Sequence, residues 1–135
     1  MKIYFSCSIT GGRTDQPIYR EMVRWMQAHG HHVLTAHLAD PDIMKAELVA
    51  DAVTVCQRDI AWIDEADVVV AEVSTPSHGV GYEIAYAVMT ATPVLCLARD
   101  GGRVSKMITG NDRLKFFAYR DEEEATKIID EFLRI

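Results

Sequence analysis

Cysteine is scarce. The three present, Cys7, Cys56 and Cys96, have no short metal-binding spacing, and an odd count argues against a disulfide framework. Cys7 and Cys96 lie in apolar runs and read as core residues. No hydrophobic run is long enough to span a bilayer. The opening Met1-Lys2-Ile3-Tyr4-Phe5 turns polar too quickly for a signal peptide, so a soluble cytoplasmic protein is expected, with no membrane partner. Positive charge is also short: 14 Lys and Arg stand against 20 Asp and Glu, a net charge of −6. Without a basic patch, a nucleic acid polymer is not the expected partner. A single phosphate on a small ligand stays open, because a few backbone amides, a helix N-terminus and one arginine suffice for it.

Apolar residues make up 49% of the 135, enough for a core, and the length predicts one domain over 1–135. No repeat, low-complexity stretch or linker interrupts it. Lys2 to Cys7 reads as a buried strand, and Gln16 to Ala28 as a helix with Pro17 in its first turn. Ile18, Met22, Trp25 and Met26 recur there at helical spacing, and Gly30 stops the helix. A second strand is predicted over His32 to Thr35, then one long helical stretch from Ile43 to Glu65. Asp67 to Val73 is the clearest strand, and its continuous apolar run suits a sheet covered on both faces. A helix from Gly79 to Thr90, strands Pro93 to Ala98 and Lys115 to Tyr119, and a helix Glu122 to Leu133 complete the pattern. The fold class is α/β, a single doubly wound (Rossmann/flavodoxin-like) five-stranded parallel sheet flanked by helices. Ligands in such sheets bind at the carboxyl ends of the strands, which singles out the loops after Cys7, Val73 and Ala98.

The first loop, Ser8-Ile9-Thr10-Gly11-Gly12-Arg13, has adjacent glycines and donors suited to an anion. It is neither a Walker loop nor a dinucleotide fingerprint, and an ordinary tight turn reads equally well. In the second, Gly79 and Gly81 permit close approach, and Glu83 is expected in the first turn of the next helix, where the dipole favours an ionised carboxylate. That position also suits a merely structural first-turn glutamate. Asp59 either faces the pocket or pairs with Arg58. Asp67 reads as a turn or cap residue, and Glu72 is ambiguous. His29, His31 and His32 straddle a helix end, which accounts for them without a metal. His37 follows the second strand at its carboxyl end. Arg99, Arg103, Ser105 and Lys106 in the third loop suit either a phosphate or plain charge balance.

Together these segments resemble the 2'-deoxynucleoside 5'-phosphate N-hydrolase family, within the nucleoside 2-deoxyribosyltransferase-like fold. The resemblance is carried by Ile3 to Arg13, by Arg58-Asp59-Ile60-Ala61-Trp62, by Ala66 to Val73, by Pro76 to Glu83 and by Gly102 to Ile108. It implies a homodimer, no metal or organic cofactor, and a small-molecule nucleotide substrate. It implies a retaining reaction in which Glu83 attacks the anomeric carbon, with Tyr4 and Asp59 as further catalytic residues. Tyr4 would hold Glu83 near the sugar, and Asp59 would orient the sugar or help protonate the leaving base. Cys7, Ser8, Ile9, Thr10, Gly11, Gly12 and Arg13, with Ser77 and Gly79, fall at phosphate-side positions. Met22 falls among the substrate contacts and His37 on the base side. Ser105, with Lys106 and Met107 beside it, would reach the phosphate from the neighbouring subunit. Two departures stand out: relatives carry Gly at the Cys7 position and Arg at Thr10.

Hydrolysis of a 2'-deoxynucleoside 5'-monophosphate to free base and 2-deoxyribose 5-phosphate is therefore the expected activity. A nucleoside 2-deoxyribosyltransferase and a ribonucleotide (CMP-like) N-glycosidase are the enzymatic alternatives. A nucleotide-binding module that senses without cleaving is the alternative of another class.

Overall fold

The computed structural model describes residues 1–9, 15–40 and 42–134. The strands are β1 (Lys2–Ser6), β2 (His32–Val33), β3 (Val68–Glu72), β4 (Val94–Arg99) and β5 (Lys115–Tyr119). They form one parallel sheet in the order β2-β1-β3-β4-β5. The order reverses between β1 and β3, and this switch point opens a crevice at the strands' carboxyl ends. The doubly wound sheet read from the sequence is the one observed.

The helices are α1 (Gln16–Ala28), α2 (Ile43–Val49), α3 (Ala52–Glu65), α4 (His78–Met89), α5 (Lys106–Thr109) and α6 (Glu122–Leu133). Strand alternation sorts the core into two layers. Ile3, Phe5, Val68, Val70, Leu95 and Leu97 pack with Tyr19, Met22 and Met26 of α1 and Ile129 of α6. Tyr4, Val69, Ala71 and Cys96 face the other way, onto Ile63 of α3 and Ile84, Ala87 and Val88 of α4. Gly30, at φ 81°, turns the chain out of α1 in a left-handed conformation that a side chain would resist.

Two predicted elements differ. The single long helix over Ile43 to Glu65 is two helices, α2 and α3. Asp51 stands between them in an extended conformation and caps α3, accepting from the Thr54 amide at 3.0 Å. The second strand ends at Val33 rather than Thr35. Buried Thr35 pairs through its side chain instead: its hydroxyl accepts from Phe5 N at 2.8 Å and donates to Phe5 O at 2.6 Å. The chain then enters a single 3-10 turn, Ala36–Ala39.

A buried polar network fixes the crossing from β3 to α4. Glu72, fully buried at the end of β3, accepts from the hydroxyls of Ser74 and Tyr119, the latter at 3.0 Å. Ser74 in turn accepts from the Arg99 amide at 2.7 Å. Thr75 donates to Asp15 Oδ2 at 2.8 Å, and buried Asp15 ion-pairs with Arg99. Burial pushes the Glu72 carboxyl above its ordinary pKa, and a glutamine there keeps an acceptor oxygen for both hydroxyls. Glu72→Gln is expected to keep near-native stability in urea unfolding at pH 7. Glu72→Ala, which strips an acceptor from the buried Tyr119 hydroxyl and the half-buried Ser74 hydroxyl, is expected to lose about 2–4 kcal/mol.

Candidate active site

Tyr4 and Ser6 lie two residues apart on β1 and so share one face, toward α3 and α4. Glu83 meets them from α4. That helix starts at His78, and its cap is Ser77, whose hydroxyl accepts from Val80 N at 3.4 Å. Glu83 is therefore in the second turn, not the first. This corrects the expectation that the helix dipole keeps the carboxylate ionised, because the dipole fades within one turn. Burial dominates instead and pushes the Glu83 pKa up to about 7, with the Asp59 charge adding to it. Ser6 opposes the shift: its hydroxyl donates to Glu83 Oε2 at 2.5 Å. Tyr4 and the Arg58 cation act in the same sense as Ser6. The buried Tyr4 hydroxyl closes no well-formed hydrogen bond among the described residues, yet it lies near enough to Glu83 to favour its charged form. Burial and the two nearby carboxylates raise the pKa of Tyr4 itself, so it stays a neutral phenol.

Asp59 comes from the middle of α3. Arg58 Nε donates to Asp59 Oδ1 at 2.8 Å, so the pairing alternative is realised, yet Asp59 still lines the cleft. Arg58 also holds Glu47 Oε1 of α2 at 3.2 Å and lies 4.9 Å from the centre of the Trp62 ring. His37 meets that ring edge-on at 5.5 Å, with Nε2 3.8 Å from Glu47. Burial, then the Arg58 charge, pushes the His37 pKa down.

A cleft of about 450 Å³ brings Cys7, Ile9, Asp59, Ser77, Gly79 and Glu83 together. Leu38, Glu47, Leu48, Val55 and Cys56 supply its further, largely apolar walls. Ser8 sits beside it, wholly buried, its hydroxyl without a hydrogen-bond partner among the described residues. Thr10, Gly11, Gly12 and Arg13 lie outside the described residues. A Cβ on Gly79 would meet only Ser77 Oγ, at 3.9 Å, and one on Gly81 nothing within 4 Å. The fold itself thus demands glycine at neither, although each weakens the helix by about 1 kcal/mol.

Other expected contacts lie elsewhere. Met22 is wholly buried in the α1–α6 core layer and does not line the cleft; its helical spacing reflects packing. His37 stands behind Glu47 and Trp62 rather than on the cleft wall. Ser105 caps α5, accepting from Met107 N at 3.2 Å. Ser105 and Met107 line a second cavity, also of about 450 Å³, between α4 and α5; Lys106 is exposed beside them. Arg99 is taken up in charge balance with Asp15. The sequence reading missed Ser6 and Glu47. Alternation from Tyr4 along β1 would have found Ser6. No local pattern marked Glu47, because α2 was merged into one long helix.

The raised Glu83 pKa has a sign for stability. Between its ordinary 4.5 and about 7 the folded state holds a proton that the unfolded state has released, so stability falls as pH rises through that window. Glu83→Gln is expected to be more stable than the parent at pH 8, by up to about 3 kcal/mol. The gap should close as pH falls to 4.5, measured by urea unfolding across the range.

Known proteins place the chain in a family. The family described as nucleoside 2-deoxyribosyltransferase matches residues 3–127. A mouse (Mus musculus) protein named 5-hydroxymethyl-dUMP N-hydrolase is 43% identical over 133 residues, covering 93% of this chain and 76% of the relative. A Methanosarcina barkeri protein named putative 2'-deoxynucleoside 5'-phosphate N-hydrolase 1 is 40% identical over 134 residues, covering 98% and 84%. Among solved structures, a Clostridium botulinum CMP N-glycosidase superposes with a TM-score of 0.71 at 16% identity, over 98% of this chain and 99% of that one, and shares the fold. The chain belongs to the nucleoside 2-deoxyribosyltransferase family.

Proposed function

We propose that the protein hydrolyses the N-glycosidic bond of 2'-deoxynucleoside 5'-monophosphates, releasing the free base and 2-deoxyribose 5-phosphate. The observation that carries it is Glu83: a half-buried carboxylate beside Asp59 on the cleft wall, in a chain about 40% identical to proteins named for that reaction. Glu83 attacks the anomeric carbon as the base departs with the electron pair of the C–N bond. Water then attacks the same carbon, and the carboxylate leaves. A nucleophile with a pKa near 7 is about half ionised at neutral pH, so turnover should rise with pH through that value.

Asp59, fixed by Arg58, presents acceptor oxygens that orient the sugar. Tyr4 keeps its proton and steadies the Glu83 charge. The buried Ser8 hydroxyl and the segment through Thr10, Gly11, Gly12 and Arg13 take the 5'-phosphate, with Ser77 and Gly79. Gly79 fits this role because its missing side chain serves nothing within the fold. In a homodimer Ser105, with Lys106 and Met107, reaches the partner's phosphate, and the enzyme works in the cytoplasm without a cofactor. A second course has support in the family description: the same glycosyl-enzyme passes its sugar to another base.

Incubation with a panel of deoxy- and ribonucleoside monophosphates should release free base from deoxynucleotides. Glu83→Ala should cut the rate by about 10³-fold or more. Nucleosides lacking the phosphate should react at least about 10-fold less efficiently. A second base in the mixture reveals transfer as a new nucleotide. No release from any substrate would leave a binding module.

A further inference from the structure

We propose that Ser6 is a positioning residue for the reaction: its hydroxyl holds one oxygen of Glu83, commits the other to attack, and stabilises the carboxylate as it leaves in the second step. This rests on Glu83 being the nucleophile.

Ser6 ends β1, wholly buried, opposite Ala71 of β3 in the register. Nothing in the packing asks for a hydroxyl there. A buried one costs about 1–3 kcal/mol unless it is hydrogen-bonded. Its partner is Glu83 Oε2, which accepts from the Ser6 hydroxyl at 2.5 Å. Strand alternation then sets Tyr4 on the same face, so β1 presents two hydroxyls to a single carboxylate. The other charged groups acting on Glu83 come from α3: Asp59, which opposes its ionisation, and Arg58, which favours it.

With Oε2 held by the strand, Oε1 is the attacking atom. In the first step a C1'–Oε1 bond forms and the C1'–N bond breaks. Its electron pair goes to the base, which takes a proton from solvent. The resulting ester carries Oε2 as its carbonyl oxygen, still accepting from Ser6. In the second step water bonds to C1', the C1'–Oε1 pair returns to the carboxylate, and the water's proton goes to solvent. Charge reappears over both oxygens in that step, so the Ser6 hydrogen bond strengthens as the bond breaks. Removing it should slow release of the sugar more than its capture.

The test compares wild type, Ser6→Ala and Ser6→Cys, the last a weak donor of similar shape. In Ser6→Ala the acid limb of the kcat/KM profile should move up by on the order of one pH unit. Intact-mass measurement after rapid quenching should show more sugar–enzyme adduct than in wild type. Ser6→Cys should fall between. An unmoved acid limb overturns the assignment, and a moved limb without extra adduct overturns the second-step role.

A third readout needs no activity. The fall in unfolding stability between pH 5 and pH 8 should be larger in Ser6→Ala than in wild type, because Glu83 would hold its proton to higher pH. An equal fall overturns the contact itself. Full activity in Glu83→Ala would instead remove the nucleophile while leaving the Ser6 contact measurable by this route.

Discussion

Glu83 is partly withdrawn from water because α4 lays its inner face on the sheet, and that desolvation governs the rest of the site. A carboxylate in the second turn of a helix has no dipole to lean on. Desolvation against the sheet pushes its pKa up to about 7, while Ser6, Tyr4 and Arg58 act the other way. The fold thus carries a destabilising charge where the sheet reverses direction, the kind of local conflict expected of a functional site.

Such a charge is useful only if the elements around it hold still. The crossing that delivers α4 is anchored by Glu72, Ser74 and Tyr119 on one side and by Thr75, Asp15 and Arg99 on the other. Asp15 also opens α1, directly after the first loop, so a single network ties the frames of two candidate phosphate-binding segments. The far wall of the cleft is built differently. The short helix α2 is linked to α3 through the Arg58–Glu47 pair and turns Leu48 and Val49 outward. The Glu83 end of the cleft is therefore framed by the sheet, and the other end by a short helix whose Leu48 and Val49 are exposed.

Much of this was legible in the chain. Continuous apolar runs and helical patterns marked four of the five strands closely and both ends of α1 and α6, because buried parallel strands and amphipathic helices leave strong hydrophobic signatures. Glu83 and Asp59 emerged from segment resemblance, and the cleft does contain both. What the chain hid was local competition. Thr35 replaces strand pairing with its hydroxyl, and Asp51 ends one helix by capping the next; both are polar side chains acting on backbone groups that no periodicity reports. Met22 lies in the α1 core layer and off the cleft wall, because its helical spacing serves packing. Ser105 and His37 stand outside the cleft for reasons of tertiary placement that spacing does not encode.

Desolvation at the switch point is what raises the Glu83 pKa. Carbon-13 NMR of the side-chain carboxyl, assigned by its loss in Glu83→Gln, measures this directly. A titration midpoint of about 7 is predicted. A midpoint at the ordinary glutamate value of about 4.3 would contradict it.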